Sequence, residues 1–132
     1  MKRSELIQRV RAYTRDLTNS IFREEDIIAF INEGINRCKQ IMPQLKSTPK
    51  LLTNIEEPFP IPEEYQHLVA VYSASRCFSQ DERHYQATTL MNEFEVKMEE
   101  LRQKVENGDI VIIDPETGEE ITGENVIDYV DL

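Results

Sequence analysis

The chain has 132 residues, 39% hydrophobic and 30% charged, with a formal net charge of −10. That length suits one domain with a core of its own, and its four glycines form no phosphate-cradling loop. The acidity is unevenly placed: residues 109–132 hold eight acids and no Lys or Arg, whereas residues 1–108 hold 17 acids against 15 bases, so the body lacks the basic stripe of a nucleic-acid binder. Cys38 and Cys77 stand apart on apolar helical faces, which predicts buried free thiols in a reducing compartment. No apolar run approaches the ~18 residues that span a bilayer, and the start, Met1-Lys2-Arg3-Ser4, leads into a charged helix. The expectation is a soluble protein made in a cytoplasm, with no membrane partner.

The spacing predicts a first helix from a Ser4 cap to about Asp16, with Leu6, Ile7, Val10 and Tyr13 turned inward. Arg9, Arg11 and Arg15 fall on its other face and, with Lys2 and Arg3, form the one basic patch, a candidate for contact with a subunit or a phosphate. Leu17 to Phe22 is a link. Glu24, Glu25 and Asp26 then load the first turn of a second helix, where the helix dipole favours negative charge, and this explains them better than a metal site. Ile27, Phe30, Ile31, Gly34, Cys38, Ile41 and Met42 make its apolar stripe, ended by Pro43. A glycine inside that stripe costs helix stability, so Gly34 marks a close helix crossing.

Pro43, Pro49, Pro58, Pro60 and Pro62 then break the periodicity. The segment reads as a projecting, ordered loop whose return is anchored by Phe59 and Ile61, and Lys50, Leu51, Leu52 and Asn54 are its candidate contact residues. Pro62 suits the first position of a third helix reaching about Ser79, with Tyr65, Leu68, Val69, Tyr72 and Arg76 at helical spacing. A tight Ser79-Gln80 junction predicts an antiparallel hairpin with a long fourth helix from an Asp81 cap to Asn107-Gly108. His84, Ala87, Met91, Phe94, Met98, Leu101 and Val105 form its seam, and the other helices are expected to pack against it.

After Gly108 the period changes. Ile110-Val111-Ile112-Ile113 is β-branched throughout, Asp114-Pro115-Glu116-Thr117-Gly118 supplies turn chemistry, and Glu119 to Thr122 can return, which predicts a β-hairpin. Val126, Ile127 and Tyr129 follow in alternation with acids. A lone two-stranded hairpin is marginal in water. Either another chain completes this tail by strand addition, or the tail folds back on its own helices, and the residues themselves leave both open. The fold class is therefore mainly α: a small four-helix bundle-like body over residues 1–108 with a long C-terminal helix and a Pro-rich projecting loop, and an extended acidic β-hairpin tail over residues 109–132.

Catalytic signatures are absent from the sequence. His67 and His84 lack Cys or Asp at ligand spacing, and His84 fits the end of the apolar seam better than a metal site. Ser73, Ser75 and Ser79 have no nucleophile signature around them. The expectation is no cofactor, no metal and no enzymatic activity.

The basic first helix, the acid-started second helix with Phe30-Ile31-Asn32-Glu33, the Ile61-Pro62-Glu63-Glu64-Tyr65 lead into the third, the Ala70 to Phe78 segment and the long last helix occur in an order that resembles tailed-bacteriophage head-to-tail connector adaptor proteins. The resemblance implies a structural virion protein, made in the host cytoplasm, that forms a homo-oligomeric ring, commonly twelve-fold in the family, under the portal. DNA would pass through the lumen without specific binding. It further implies a C-terminal tail docked on the portal protein or a neighbouring subunit through Ile110, Val111, Ile112, Ile113, Ile121, Val126, Ile127 and Tyr129. The loop at Lys50, Leu51, Leu52 and Asn54 would meet the next tail or stopper protein. Deleting residues 109–132 is expected to leave a folded body that no longer joins capsids. The competing reading is an acidic DNA mimic or inhibitor, against which the acids count by lying in an aliphatic tail and not over the helices.

Overall fold

A computed structural model describes residues 3–16, 21–42, 61–113 and 120–121. The proline-rich loop with Lys50, Leu51, Leu52 and Asn54, and the tail residues Val126, Ile127 and Tyr129, lie outside the described residues. The body is mainly helical. Four helices of three turns or more, α1 (Arg3–Thr14), α2 (Glu24–Ile41), α4 (Leu68–Gln80) and α5 (His84–Glu106), are joined by the single turn α3 (Glu63–Gln66).

The thirteen residues of α4 form the centre of the bundle. Ten of them are buried, from Leu68 to Ser75 with Cys77 and Phe78, and the helix packs on α1, α2 and α5 together. A helix apolar all round is a buried helix. Small side chains at Ala70, Ser73, Ala74 and Ser75 admit the neighbours, and the two hydroxyls are satisfied by the carbonyls of Val69 (2.8 Å) and Ala87 (2.6 Å). The long helix α5, about 35 Å at the usual rise, is peripheral by comparison: Ala87, Phe94, Met98 and Leu101 are buried, and Met91 and Val105 are half-buried. The pairs Tyr65–Lys104, Tyr72–Phe94 and Ser75–Ala87 run in opposite senses, so α4 and α5 are antiparallel.

Three boundaries differ from expectation. Ser4 lies inside α1, not before it. The expected single third helix changes hydrogen-bond pattern at His67, whose carbonyl accepts from both Ala70 (2.9 Å) and Val71 (3.1 Å), while the Gln66 amide turns back to the Ile61 carbonyl (2.8 Å). Asp81 does not cap α5: its N–H bonds back to Cys77, and Glu82 takes a left-handed φ of 61° before Arg83 N–H reaches the Phe78 carbonyl. This left-handed turn closes α4 and uses up residues 81–83 before α5 can begin. His84 is exposed in the first turn and is not part of the seam.

Gly34 marks a close crossing. A Cβ there would lie 3.1 Å from Cδ1 of Tyr72, whose ring is held edge-on against Phe94 at 5.2 Å. Beyond α5, Gly108 takes φ 80°, and the Asp109 and Ile110 N–H groups both return to the Lys104 carbonyl. Ile112 is then buried in the body's core at 1% exposure, with Ile110 packed against that core. Ile112–Ile113 (β1) forms a two-residue antiparallel ladder with Glu120–Ile121 (β2), Ile112 opposite Ile121.

Candidate functional site

At one end of the bundle, the end of α1, the end of α4 and the first two turns of α5 enclose an open cleft of about 490 Å³. Tyr13, Phe78 and Leu90 give it apolar walls, and Thr14, Gln86 and Thr89 add neutral polar groups. Two cations line it. Arg15 is exposed at the left-handed residue closing α1, with φ 58°, and Arg83 lies over the Phe78 ring at 5.9 Å while pairing with Asp81 at 2.9 Å. Tyr85 stands at the cleft with 82% of its surface exposed. Sequence periodicity misses this cleft because its residues come from three helix ends and share no spacing. The available signal was Tyr85, an aromatic off the seam, beside Arg83.

A buried ion pair fixes the α1 side of the cleft. Asp16 is fully buried; its carboxylate accepts from Arg11 Nη1 (2.8 Å) and from the N–H groups of Ile21 (3.0 Å) and Phe22 (2.9 Å), while Arg11 also donates to the Phe22 carbonyl (3.0 Å). This knot ties the end of α1 to the lead into α2. It also breaks up the expected basic face. The Arg11 side chain, 11% exposed, is spent inside the chain. Arg9 remains exposed beside Tyr13, and Arg15 belongs to the cleft. Burial and nearby Glu93 push the Tyr13 hydroxyl's pKa up, against the opposing influence of Arg9.

On the α2–α4 surface, Tyr72 donates to Glu33 Oε1 at 2.8 Å. Arg76 Nε lies 3.1 Å from the same oxygen without its N–H aligned on it, so this contact is an ion pair and not a hydrogen bond, and the guanidinium covers Phe30 at 5.4 Å. Burial first, then the hydrogen bond to Glu33, pushes the Tyr72 hydroxyl from 10.0 up to about 12, and burial does the same to the Cys38 and Cys77 thiols from 9.0. The native state therefore holds these protons to higher pH than the unfolded chain does. Their contribution is complete below the unfolded values and is lost as pH rises through the native ones. Urea midpoints are expected to hold up to about pH 9 and fall steadily toward pH 12, less steeply in Tyr72→Phe than in the parent.

The docking residues assigned to the tail root separate. Val111 is 48% exposed, Ile110 is half-buried and Ile112 is buried in its own chain's core, so the first of these is the one open to a partner. Ile113 and Ile121 lie in the ladder. Among the described residues no three His, Cys, Asp or Glu side chains lie together as a metal site, and no helix is long and apolar enough to cross a membrane. His67 is half-buried at the α3–α4 joint and Glu64 is exposed. No family model, curated protein or solved structure matches the chain.

Proposed function

We propose that this chain is a structural virion protein, an adaptor that joins the portal of a tailed bacteriophage to its tail, and that it performs no catalysis. The observation that carries the reading is the pairing of a nearly neutral helical body with an acidic, aliphatic tail rooted at the end of its longest helix. Ile112 anchors that root, so the chain leaving it is held at a fixed point of the body. In this reading residues 109–132 form an extended hairpin begun by the Ile112–Ile121 ladder, and a portal or a neighbouring adaptor completes its sheet edge. Exposed Val111 supplies apolar contact at the root, and the loop at Lys50, Leu51, Leu52 and Asn54 meets the next tail component. The bodies assemble side by side into a ring with DNA in the lumen.

The DNA-mimic alternative gains nothing from the helices. The outer rows of α5 mix Lys97, Arg102 and Lys104 with Glu99, Glu100 and Glu106 in intrahelical pairs, which leaves no continuous row of phosphate-like charge. The test is attachment to portal-bearing capsids of the virus that encodes the chain. The intact chain is expected to sediment with capsids and a chain lacking residues 122–132 to stay behind. Equal attachment by both, or by neither, would overturn the reading.

A further inference from the structure

We propose that the cleft between the ends of α1 and α4 and the start of α5 receives the acidic C-terminal segment, residues 124–131, of a second copy of this chain. The inference rests on the reading of the tail as a docking arm and specifies one of its docking sites.

Charge and apolar character both fit. Arg15 has no side-chain partner among the described residues, and Arg83, half-exposed, shares its charge with Asp81 alone. Asp81 and nearby Glu93 temper the field, so an acidic stretch is selected only if it also fills the apolar walls at Tyr13, Phe78 and Leu90. The segment Glu124-Asn125-Val126-Ile127-Asp128-Tyr129-Val130-Asp131 offers that combination, three carboxylates interleaved with aliphatic and aromatic side chains.

Reach favours a second copy over the same chain. Ile121 is held opposite Ile112, and Ile110 is tied to Lys104 at the far end of α5. The axis from Lys104 back to Gln86 in the cleft is about 27 Å long, whereas the seven steps from residue 121 to residue 128 cover about 24 Å at full extension. The chain's own tail would have to run fully extended along α5 and would bring only its last few residues, 129–131, to the cleft. A neighbour's tail meets no such limit.

The test uses the full chain with a benzophenone amino acid in place of Tyr129, as an equal mixture of ¹⁴N- and ¹⁵N-labelled protein, irradiated and mapped by mass spectrometry. Crosslinks from position 129 to peptides spanning residues 78–90 or 13–15 are expected, with heavy–light pairs at the statistical ratio for exchange between copies. Arg15→Glu should reduce their yield roughly tenfold, the sum of two modest exposed charge contacts, and adding Asp128→Lys with Asp131→Lys should restore it. The tail pair alone, which leaves the helical body untouched, should show the same loss. Crosslinks confined to one isotope, crosslinks to other surfaces, no crosslink, or a yield indifferent to these charges would each overturn the proposal. Loss of the crosslink with capsid attachment intact removes this proposal and leaves the adaptor reading standing; the converse result does the reverse.

Discussion

Asp16→Ala is expected to lower the unfolding free energy by about 3–5 kcal/mol, the cost of breaking a buried pair from one side. The alanine would strand Arg11, largely enclosed, together with the N–H groups of Ile21 and Phe22 that end on the carboxylate. Each orphaned donor carries a desolvation cost of its own. In a chain of this size the melting temperature should drop by roughly 10–20 °C. Asp16→Asn, which keeps the acceptor oxygen but not the charge, should fall between the two. As a control, Glu25→Ala removes an ion pair to Arg23 whose members are 72% and 80% exposed and should change stability by less than about 0.5 kcal/mol. Equal losses in Asp16→Ala and the control would remove the knot as a stabilising feature.

The second large effect separates two truncations. Removing residues 109–132 deletes Ile112 from the core and uncovers what Ile110 packs against, which should cost about 2–4 kcal/mol, the range for emptying a buried aliphatic site. Removing only residues 122–132 leaves both in place and should cost less than about 0.5 kcal/mol. Chemical denaturation of the three chains checks this. Indistinguishable midpoints for the two truncations would mean that the tail root does not belong to the core. The contrast matters for function, because loss of attachment in the longer deletion would mix an unstable body with a missing arm.

Periodicity carried much of the body. The inward residues of α1 and α2 and the seam from Ala87 to Val105 are the faces the structure buries or half-buries, and Gly34 marked its crossing with Tyr72. What escaped was set by features without a period. The central position of α4 rests on small side chains, Ala70, Ser73, Ala74 and Ser75, which read as neutral in a hydrophobic pattern yet decide how closely three helices approach. The clearest seam in the sequence is that of α5, which is longer but whose helix is covered on one side only. Left-handed turns at Arg15 and Glu82 involve no glycine, so nothing in the sequence announced that Asp16 would turn inward or that Asp81 would finish one helix instead of starting the next. The cleft is a consequence of those two turns together, and the burial of Ile112 resolves at the tail root a choice that composition left even.

The central claim is that the tail joins this body to a portal. Sedimentation of the isolated chain and of the chain mixed with a purified portal ring, read as mass and shape, tests it most directly. A discrete complex carrying many copies of the chain per portal ring is expected, formed by the intact chain and lost on deletion of residues 122–132. Two species that sediment independently at every mixing ratio would contradict it.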